Sequence, residues 1–293
     1  MQNLTEANLT DAVVDAFAGA ENARLKEIMA SLVKHLHAFI RDVNLTEEEW
    51  LAGIDFLTAT GQMCDARRQE FILLSDTLGA STLKDLINNR KPAGMTEWSI
   101  LGPFYRGGAE ELPLGANIAN DTPGEPVVVS GLVSALDGAP LANALLDVWQ
   151  SDSEGHYDLQ LMDASRMNLR GRFHTDADGR YFFRTIKPSF YPIPDDGPVG
   201  KMLRAAGRHP YRPAHIHFKV SANGYKALTT ELYVNGDPYL DSDVVFGVRS
   251  SLIVDFVRCE SRGDAAQLAE DAALSGVTAP FYAVHYDFVL EPD

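Results

Sequence analysis

Two histidines separated by one residue, His215 and His217, form the pattern in this sequence with the clearest chemical meaning. Residues two apart point the same way on a β-strand, so both imidazoles share one face while Ile216 faces a core. Upstream, Tyr157 and Tyr191 stand in segments with Gly or Pro that are typical of loops. Two imidazoles and two phenolates form a hard, anionic ligand set, which suits ferric iron better than zinc or copper(I). These residues are the predicted metal ligands.

Each of these residues also has an ordinary structural explanation. A lone tyrosine usually belongs to a core or its rim, and a lone histidine is more often hydrogen-bonded than metal-bound. Two imidazoles buried on one strand face need a compensating partner, which favours a metal. Cupins also carry a His-x-His pair, with a glycine where this chain has His209 and a glutamate soon after the pair. The nearest downstream acid here is Glu231, so the sequence does not favour a cupin.

The composition narrows the class of protein. The chain has 293 residues, of which 45% are hydrophobic and 23% charged, as in ordinary globular proteins of one or two domains. Its net charge of −16 argues against binding to nucleic acid or to anionic membranes. We expect a cytoplasmic protein, because the two cysteines are distant in sequence and the chain shows no evident secretion signal and no long apolar run.

The hydrophobic periodicity divides the chain into two parts. Within residues 1–90, apolar residues recur at helical spacing, most clearly between Leu25 and Leu36, as in a helical bundle or a dimerisation surface. Thr46 and Glu49 have the spacing of a capping box, which predicts the start of a helix. From about residue 126 the period becomes two, with turn signals between short strands, which predicts an antiparallel β-sandwich. The predicted fold is α+β, with a helical domain at 1–100 and a sandwich at 101–293. A helical patch at 264–274 is expected to pack back on the amino-terminal helices.

Six short segments together resemble one protein family. They are 73–79 (LLSDTLG), 101–105 (LGPFY), 146–149 (LDVW), 155–157 (GHY), 184–188 (RTIKP) and 212–217 (RPAHIH). In this order, with Tyr191 between the last two, they resemble the intradiol ring-cleaving dioxygenases, in the catechol and hydroxyquinol branch. The resemblance extends over most of the chain.

The resemblance implies a metal centre, a mechanism and an assembly. It implies one Fe(III) per subunit, bound by Tyr157, Tyr191, His215 and His217. Tyr191 would leave the metal to take a proton from the substrate, and Arg212 would stabilise negative charge on the ring; an ordinary salt bridge at a strand end is the alternative for Arg212. It also implies a homodimer formed through the amino-terminal helices, with a phospholipid between them.

The resemblance also implies a substrate pocket. Its lining would be mostly apolar, as an aromatic ring requires. The implied residues are Leu73, Asp76, Ile100, Gly102, Pro103, Phe104, Ile193, Pro194 and Val245.

One acidic residue in this lining bears on the choice of substrate. A carboxylate beside a ring needs a donor, and the third hydroxyl of hydroxyquinol (benzene-1,2,4-triol) would supply one to Asp76. The predicted reaction opens hydroxyquinol between adjacent hydroxyls with O2, giving 3-hydroxy-cis,cis-muconate and then maleylacetate. Glu231, where a catechol-type enzyme would have glutamine, also indicates a different substrate branch.

Three alternatives remain open from the sequence. Asp76 would be structural if it only ended a helix or capped the turn before Gly79. The substrate would then be catechol or chlorocatechol, on the same iron site. A non-catalytic β-sandwich binding protein is the alternative from another class, although the presence of all four ligands and Arg212 argues against it.

Overall fold

The computed structural model describes residues 3–65, 68–90, 93–160, 167–265 and 271–293. The α-helices are α1 (Leu9–Ala16), α2 (Ala23–Val43), α3 (Glu47–Gln62), α4 (Glu70–Thr77), α5 (Ala80–Asn88), α6 (Pro198–Ala205) and α7 (Asp271–Leu274). The strands are β1 (Pro126–Ala135), β2 (Leu145–Gln150), β3 (Arg170–His174), β4 (Arg180–Ile186), β5 (Tyr191–Pro192), β6 (Tyr211–Arg212), β7 (His215–Ser221), β8 (Leu228–Val234), β9 (Ile253–Val254), β10 (Val257–Cys259), β11 (Phe281–His285) and β12 (Phe288–Leu290). The predicted α+β class is confirmed.

In the described residues, the β-structure consists of two five-stranded sheets and a two-stranded ribbon of β5 and β6. In the first sheet, β1 pairs antiparallel with β4 and parallel with β11 and β12, while β10 joins the edge of β11. The second sheet has the order β3-β2-β7-β8-β9 and is antiparallel except between β8 and β9. The sheets are thus mixed rather than purely antiparallel. The sequence prediction missed the parallel pairs because their strands are distant in sequence, and local alternation does not show which strands pair.

A continuous apolar core lies between the two sheets. Alternate residues of β1, such as Val127 and Val129, share a buried cluster with Leu146 of β2 and with Ile216 and Phe218 of β7. Ile216 is fully buried in this cluster, so the neighbouring histidines of β7 point to the other face of their sheet. The predicted strand and its alternation are confirmed.

The chain divides into two compact units, Met1–Ala59 and Thr60–Asp293. In the first unit, the capping box predicted at the start of α3 is present: the Glu49 amide donates to the Thr46 hydroxyl, and the Thr46 amide donates to the Glu49 carboxylate. Across the described ranges, no helix is long and apolar enough to cross a membrane.

The predicted domain boundary at residue 100 falls inside the second unit, because α4 and α5 are built into it. Leu73 of α4 is buried in one cluster with Ile193 and Val245. From α5, the Thr82 hydroxyl donates to the Val245 carbonyl at 3.0 Å. These contacts bring the α4 segment, which carries Asp76, onto the same unit as the histidine strand.

The predicted helix at 264–274 lies partly outside the described residues. A 3₁₀ turn at Arg262–Ala265 and the short helix α7 are its described parts. Ala265 and Leu274 are buried in one cluster with Val128 of β1 and Ala283 of β11. The described buried side chains of this segment therefore pack on the first sheet. Packing of the segment against the amino-terminal helices stays a prediction.

We expect Ile216→Ala to lower the free energy of unfolding by about 3 kcal/mol, because it leaves a cavity between the two sheets. Urea denaturation measures this loss. The matched control is Val257→Ala on β10, an aliphatic strand residue that is 38% exposed, for which we expect less than about 1 kcal/mol. Equal losses for the two variants would contradict the assigned orientation of β7.

Candidate metal centre

The strand pairing around β7 places two different groups beside His217. Trp149 of β2 and Glu231 of β8 are its direct cross-strand partners. The indole of Trp149 stacks on the imidazole with centroids 4.6 Å apart and planes within 7°. On the other side, the Glu231 oxygen Oε1 lies 3.2 Å from Nδ1 of His217. The register of three strands thus holds the ring between an aromatic face and a carboxylate.

The contacts of both histidines favour the tautomer whose Nε2 carries a free lone pair. Nδ1 of His215 lies 2.7 Å from the Pro213 carbonyl, which can only accept, so Nδ1 carries the proton. For His217, the Glu231 carboxylate beside Nδ1 favours a proton there as well. The two Nε2 atoms lie 3.0 Å apart. Two lone pairs that face each other at this distance create a site for a cation.

Tyr157 reaches the same point from the loop after β2. Its hydroxyl lies 3.1 Å from Nε2 of His217 and 3.3 Å from Nε2 of His215. A 3₁₀ turn at Asp158–Gln160 follows at once. Asp158 anchors this turn through a buried bidentate pair with Arg170 of β3, at 2.5 and 2.7 Å.

Tyr191 and Arg212 lie side by side on a ribbon formed by the two-residue strands β5 and β6. They are direct partners in the antiparallel β5–β6 pairing. The Tyr191 ring lies 5.3 Å from the Tyr157 ring and 5.6 Å from the His215 ring. Gly155 permits this close approach: it has φ +88°, and a β-carbon there would come within 2.8 Å of the Tyr191 side chain. The structure therefore brings all four predicted ligands together.

Burial keeps all four side chains uncharged in the absence of a cation. It raises the pKa of Tyr157 well above its ordinary value and also raises the pKa of Tyr191. It lowers the pKa of His215, and that of His217 further. A bound cation reverses this preference for the phenols, because phenolates compensate its charge.

A buried ion-pair network stands directly behind the ligands. The Arg212 guanidinium donates to both oxygens of Glu231 at 2.8 and 3.0 Å, and to both oxygens of Asp243 at 3.2 and 3.3 Å. Ser99 and Tyr233 donate to the Glu231 carboxylate as well. Burial alone would raise the pKa of Glu231, but Arg212 and the histidines lower it well below its usual range.

Sequence reasoning missed the place of Glu231 and Asp243 in this network. Glu231 was set aside because it is distant from the histidines along the chain, yet it is paired directly with His217 across β7 and β8. The available signal was a single acid within the otherwise uncharged strand LTTELYV. A fully buried carboxylate in such a strand requires a charged partner.

Four residues of the predicted substrate pocket are buried together in one apolar cluster. They are Leu73, Ile100, Ile193 and Val245.

The other apolar members of the predicted lining differ in burial. Phe104 stacks on the Tyr157 ring with centroids 4.5 Å apart. Gly102 lies against His217, since a β-carbon there would be 3.3 Å from Cε1 of the imidazole. Pro194 is half-buried and Pro103 is exposed.

Asp76, the acidic member of the predicted lining, is buried near the end of α4. Burial raises the pKa of its carboxyl group, while a hydrogen bond from Ser81 and the charge of Arg212 oppose that rise. The residue precedes Gly79 and the turn into α5, but its side chain is not solvated as in an ordinary helix end. The influence of Ser81 on Asp76 is what a structural role would explain. The influence of the Arg212 charge relates Asp76 to the predicted metal centre.

Comparison with known protein families gives two matches that together span most of the chain. Residues 22–96 match the family model described as "Catechol dioxygenase N terminus". Residues 100–292 match the model described as "Dioxygenase".

Individual relatives are similar over almost their whole length. A 6-chlorohydroxyquinol 1,2-dioxygenase of Cupriavidus pinatubonensis is 51% identical over 100% of this chain and 99% of the relative. A hydroxyquinol 1,2-dioxygenase of a Rhizobium species is 49% identical over 97% of this chain and 95% of the relative. Among solved structures, hydroxyquinol 1,2-dioxygenase from Pseudomonas putida DLL-E4 superposes with a TM-score of 0.91 at 48% identity, covering 98% of this chain and 99% of that one. The chain therefore belongs to the intradiol ring-cleaving dioxygenase family, as its resemblance in sequence predicted.

Proposed function

We propose that this chain is an Fe(III) dioxygenase that opens hydroxyquinol between adjacent hydroxyls with O2. The product is 3-hydroxy-cis,cis-muconate, which tautomerises to maleylacetate. The observation that carries the proposal is the convergence of the Tyr157 hydroxyl and the Nε2 atoms of His215 and His217 within 3.0–3.3 Å of one another. The full-length similarity to relatives named for hydroxyquinol supports the choice of substrate.

The donor set fits a ferric ion. Separations of 3.0–3.3 Å between Tyr157, His215 and His217 are typical of ligands that share one ion about 2 Å away. Tyr191 adds the fourth donor, because its ring lies 5.3 Å from that of Tyr157 and 5.6 Å from that of His215. Two phenolates offset most of the charge of a trivalent ion, and hard oxygen donors favour Fe(III). We assign one ion to each subunit.

Glu231 is close enough to the histidines to be considered as a ligand in place of a tyrosine. Ligand atoms of His215, His217 and Glu231 all lie within 4.8 Å of one another. However, both carboxylate oxygens already accept hydrogen bonds from Arg212. Oε1 of Glu231 also lies nearer to Nδ1 of His217, at 3.2 Å, than to Nε2 of His215, at 3.5 Å. We therefore assign Glu231 to orienting the imidazole, as carboxylates beside metal-bound histidines do.

The protein groups around the site divide the work of the reaction. Tyr157, Tyr191, His215 and His217 would hold the ferric ion, which would act as a Lewis acid that makes the ring of the diol reactive towards O2. Tyr191 would take a proton from the diol, since it is the direct β5–β6 partner of Arg212 and its ring lies beside that of Tyr157. Arg212 then stabilises the negative charge on the opening ring. Both atoms of O2 enter the dicarboxylic product, so no external reductant is needed.

Mutation of Tyr157 to Phe tests the ligand assignment. We expect Tyr157→Phe to lose at least about 90% of the bound iron and of the turnover, because it removes an anionic ligand from a charge-balanced site. Metal analysis after dialysis and an oxygen-uptake assay measure the two quantities. Tyr181→Phe is the matched control, since Tyr181 is also fully buried but donates to the Tyr286 carbonyl in the core. Normal iron content and rate in Tyr157→Phe would remove this residue from the ligand set.

Oxygen uptake with two substrates tests the proposed reaction. We expect the iron-loaded protein to consume one O2 per hydroxyquinol, with a kcat/KM at least about 10-fold above that for catechol, because only the triol can donate to Asp76. Asp76→Ala should reduce this ratio about 10-fold, and Asp85→Asn on the neighbouring helix α5 should leave it unchanged. A preference for catechol in the wild type would favour the alternative substrate, and an unchanged ratio in Asp76→Ala would make Asp76 structural.

We also propose that two chains associate through the amino-terminal helices. Six apolar residues recur at three- and four-residue intervals along α2 and are each 47–54% exposed. They are Leu25, Ile28, Leu32, Leu36, Phe39 and Val43. A continuous exposed apolar stripe of this kind is typical of a helix that packs against a partner. The phospholipid at this interface and the cytoplasmic location stay predictions.

Sedimentation equilibrium tests the dimer. We expect the wild type to have the mass of two chains, and the double variant Leu32→Glu and Leu36→Glu to have the mass of one, because charges would be buried at the interface. Lys34→Glu, at an exposed position between them, should remain dimeric. A wild type with the mass of one chain would contradict this proposal without affecting the assignment of the metal site.

A further inference from the structure

We propose that Asp243 is a positioning residue that connects the loop at 243–247 to Arg212. The fit of the substrate ring in its pocket and the orientation of the Arg212 guanidinium therefore depend on each other. This inference rests on the proposed function. It concerns a carboxylate that touches neither the predicted ligands nor the predicted substrate, and that acts through the groups it holds.

Asp243 holds the edge of the Arg212 guanidinium next to the edge that Glu231 holds. Its Oδ1 accepts from Nε of Arg212 at 3.2 Å, and its Oδ2 accepts from Nη2 at 3.3 Å. Glu231 accepts from Nη1 and Nη2. Held on two edges, the planar guanidinium has one direction left for its remaining Nη1 hydrogen. That direction leads to the metal centre, where Nη1 lies 3.3 Å from Nε2 of His215.

The same two oxygens of Asp243 hold the backbone of its own loop. Oδ1 accepts from the Val245 amide at 3.3 Å, and Oδ2 accepts from the Gly247 amide at 2.9 Å. Each oxygen therefore has one partner on Arg212 and one on the loop. The carboxylate is only 4% exposed, so solvent does not offer a ready substitute for these contacts.

The loop held in this way forms part of the predicted substrate pocket. Val244 and Val245 are buried in the cluster that contains Leu73, Ile100 and Ile193. A displacement of the two valines would therefore change the space for an aromatic ring, while rotation of the guanidinium would change its hydrogen bond to the reacting centre. Asp243 links both changes through one side chain.

Other groups keep the loop folded when Asp243 is altered. Arg208 donates to the Val244 carbonyl at 2.8 Å, and Thr82 donates to the Val245 carbonyl at 3.0 Å. Arg208 also donates to the Thr77 carbonyl at the end of α4. Replacement of Asp243 by asparagine keeps the volume of the side chain and removes its charge. The expected result is a loop that remains in place but is no longer coupled to Arg212.

A double-mutant cycle between Asp243→Asn and Arg212→Lys tests the coupling. In the iron-loaded wild-type background, we expect Asp243→Asn to lower kcat for hydroxyquinol at least about 10-fold. In the Arg212→Lys background, the same change should lower kcat less than about 2-fold, because the partner is already lost. Anaerobic titration with hydroxyquinol, followed by the visible absorbance of the iron site, should show weaker binding in Asp243→Asn. Asp241→Asn, at an exposed position two residues earlier, is the matched control.

A second readout does not depend on catalysis. Amide hydrogen exchange in the metal-free protein should be faster at Val245 and Gly247 in Asp243→Asn than in the wild type or in Asp241→Asn. Equal exchange in the three proteins, or an equal fall of kcat in both backgrounds, would overturn the positioning role. Absence of ring cleavage by the iron-loaded wild type would instead overturn the proposed function. Amide hydrogen exchange would still show whether Asp243 holds the loop.

Discussion

The pairing of Glu231 with Arg212 is the interaction on which the rest of the site depends. Glu231 is fully buried and stands opposite His217 in the β7–β8 register. An unpaired carboxylate there would cost several kcal/mol, so the strand pair is compatible with this residue only if Arg212 is in place. Because Arg212 is paired in turn with Tyr191 on the β5–β6 ribbon, one ion pair connects the histidine strand to the ribbon that carries the second tyrosine.

The surrounding fold supports the site on both faces of the second sheet. One face of the second sheet buries Ile216 against the first sheet, and its other face presents the imidazoles. On that side, Trp149 stacks on His217 and Phe104 stacks on Tyr157. The predicted ligands are thus held by packing as well as by hydrogen bonds, so most of the proposed site is organised without a metal.

Local patterns in the sequence predicted the elements of this fold better than their pairing. The period-two alternation around Ile216 gave the correct strand and face, and the Thr46–Glu49 capping box gave the correct start of α3. The parallel pairing of β1 with β11 could not be predicted, because it joins segments more than a hundred residues apart. The two-residue ribbon formed by β5 and β6 is too short to produce any periodicity.

For the site as well, local patterns in the sequence were more informative than contacts between distant segments were predictable. Residue types and the family resemblance predicted four ligands and a role for Arg212, and the structure brings these five side chains together. Glu231 and Asp243 were not assigned to the centre, because their importance comes from contacts between segments that are distant along the chain. Asp76 was identified by its charge among apolar neighbours, but its hydrogen bond with Ser81 follows only from the turn between α4 and α5.

The position of the metal is the central claim, and anomalous diffraction at the iron absorption edge from crystals of the iron-loaded protein tests it most directly. We expect one strong peak per subunit, within about 2.3 Å of the hydroxyl oxygens of Tyr157 and Tyr191 and of Nε2 of His215 and His217. A peak on the Glu231 carboxylate instead of the tyrosines, or no peak beside the histidine pair, would contradict the account.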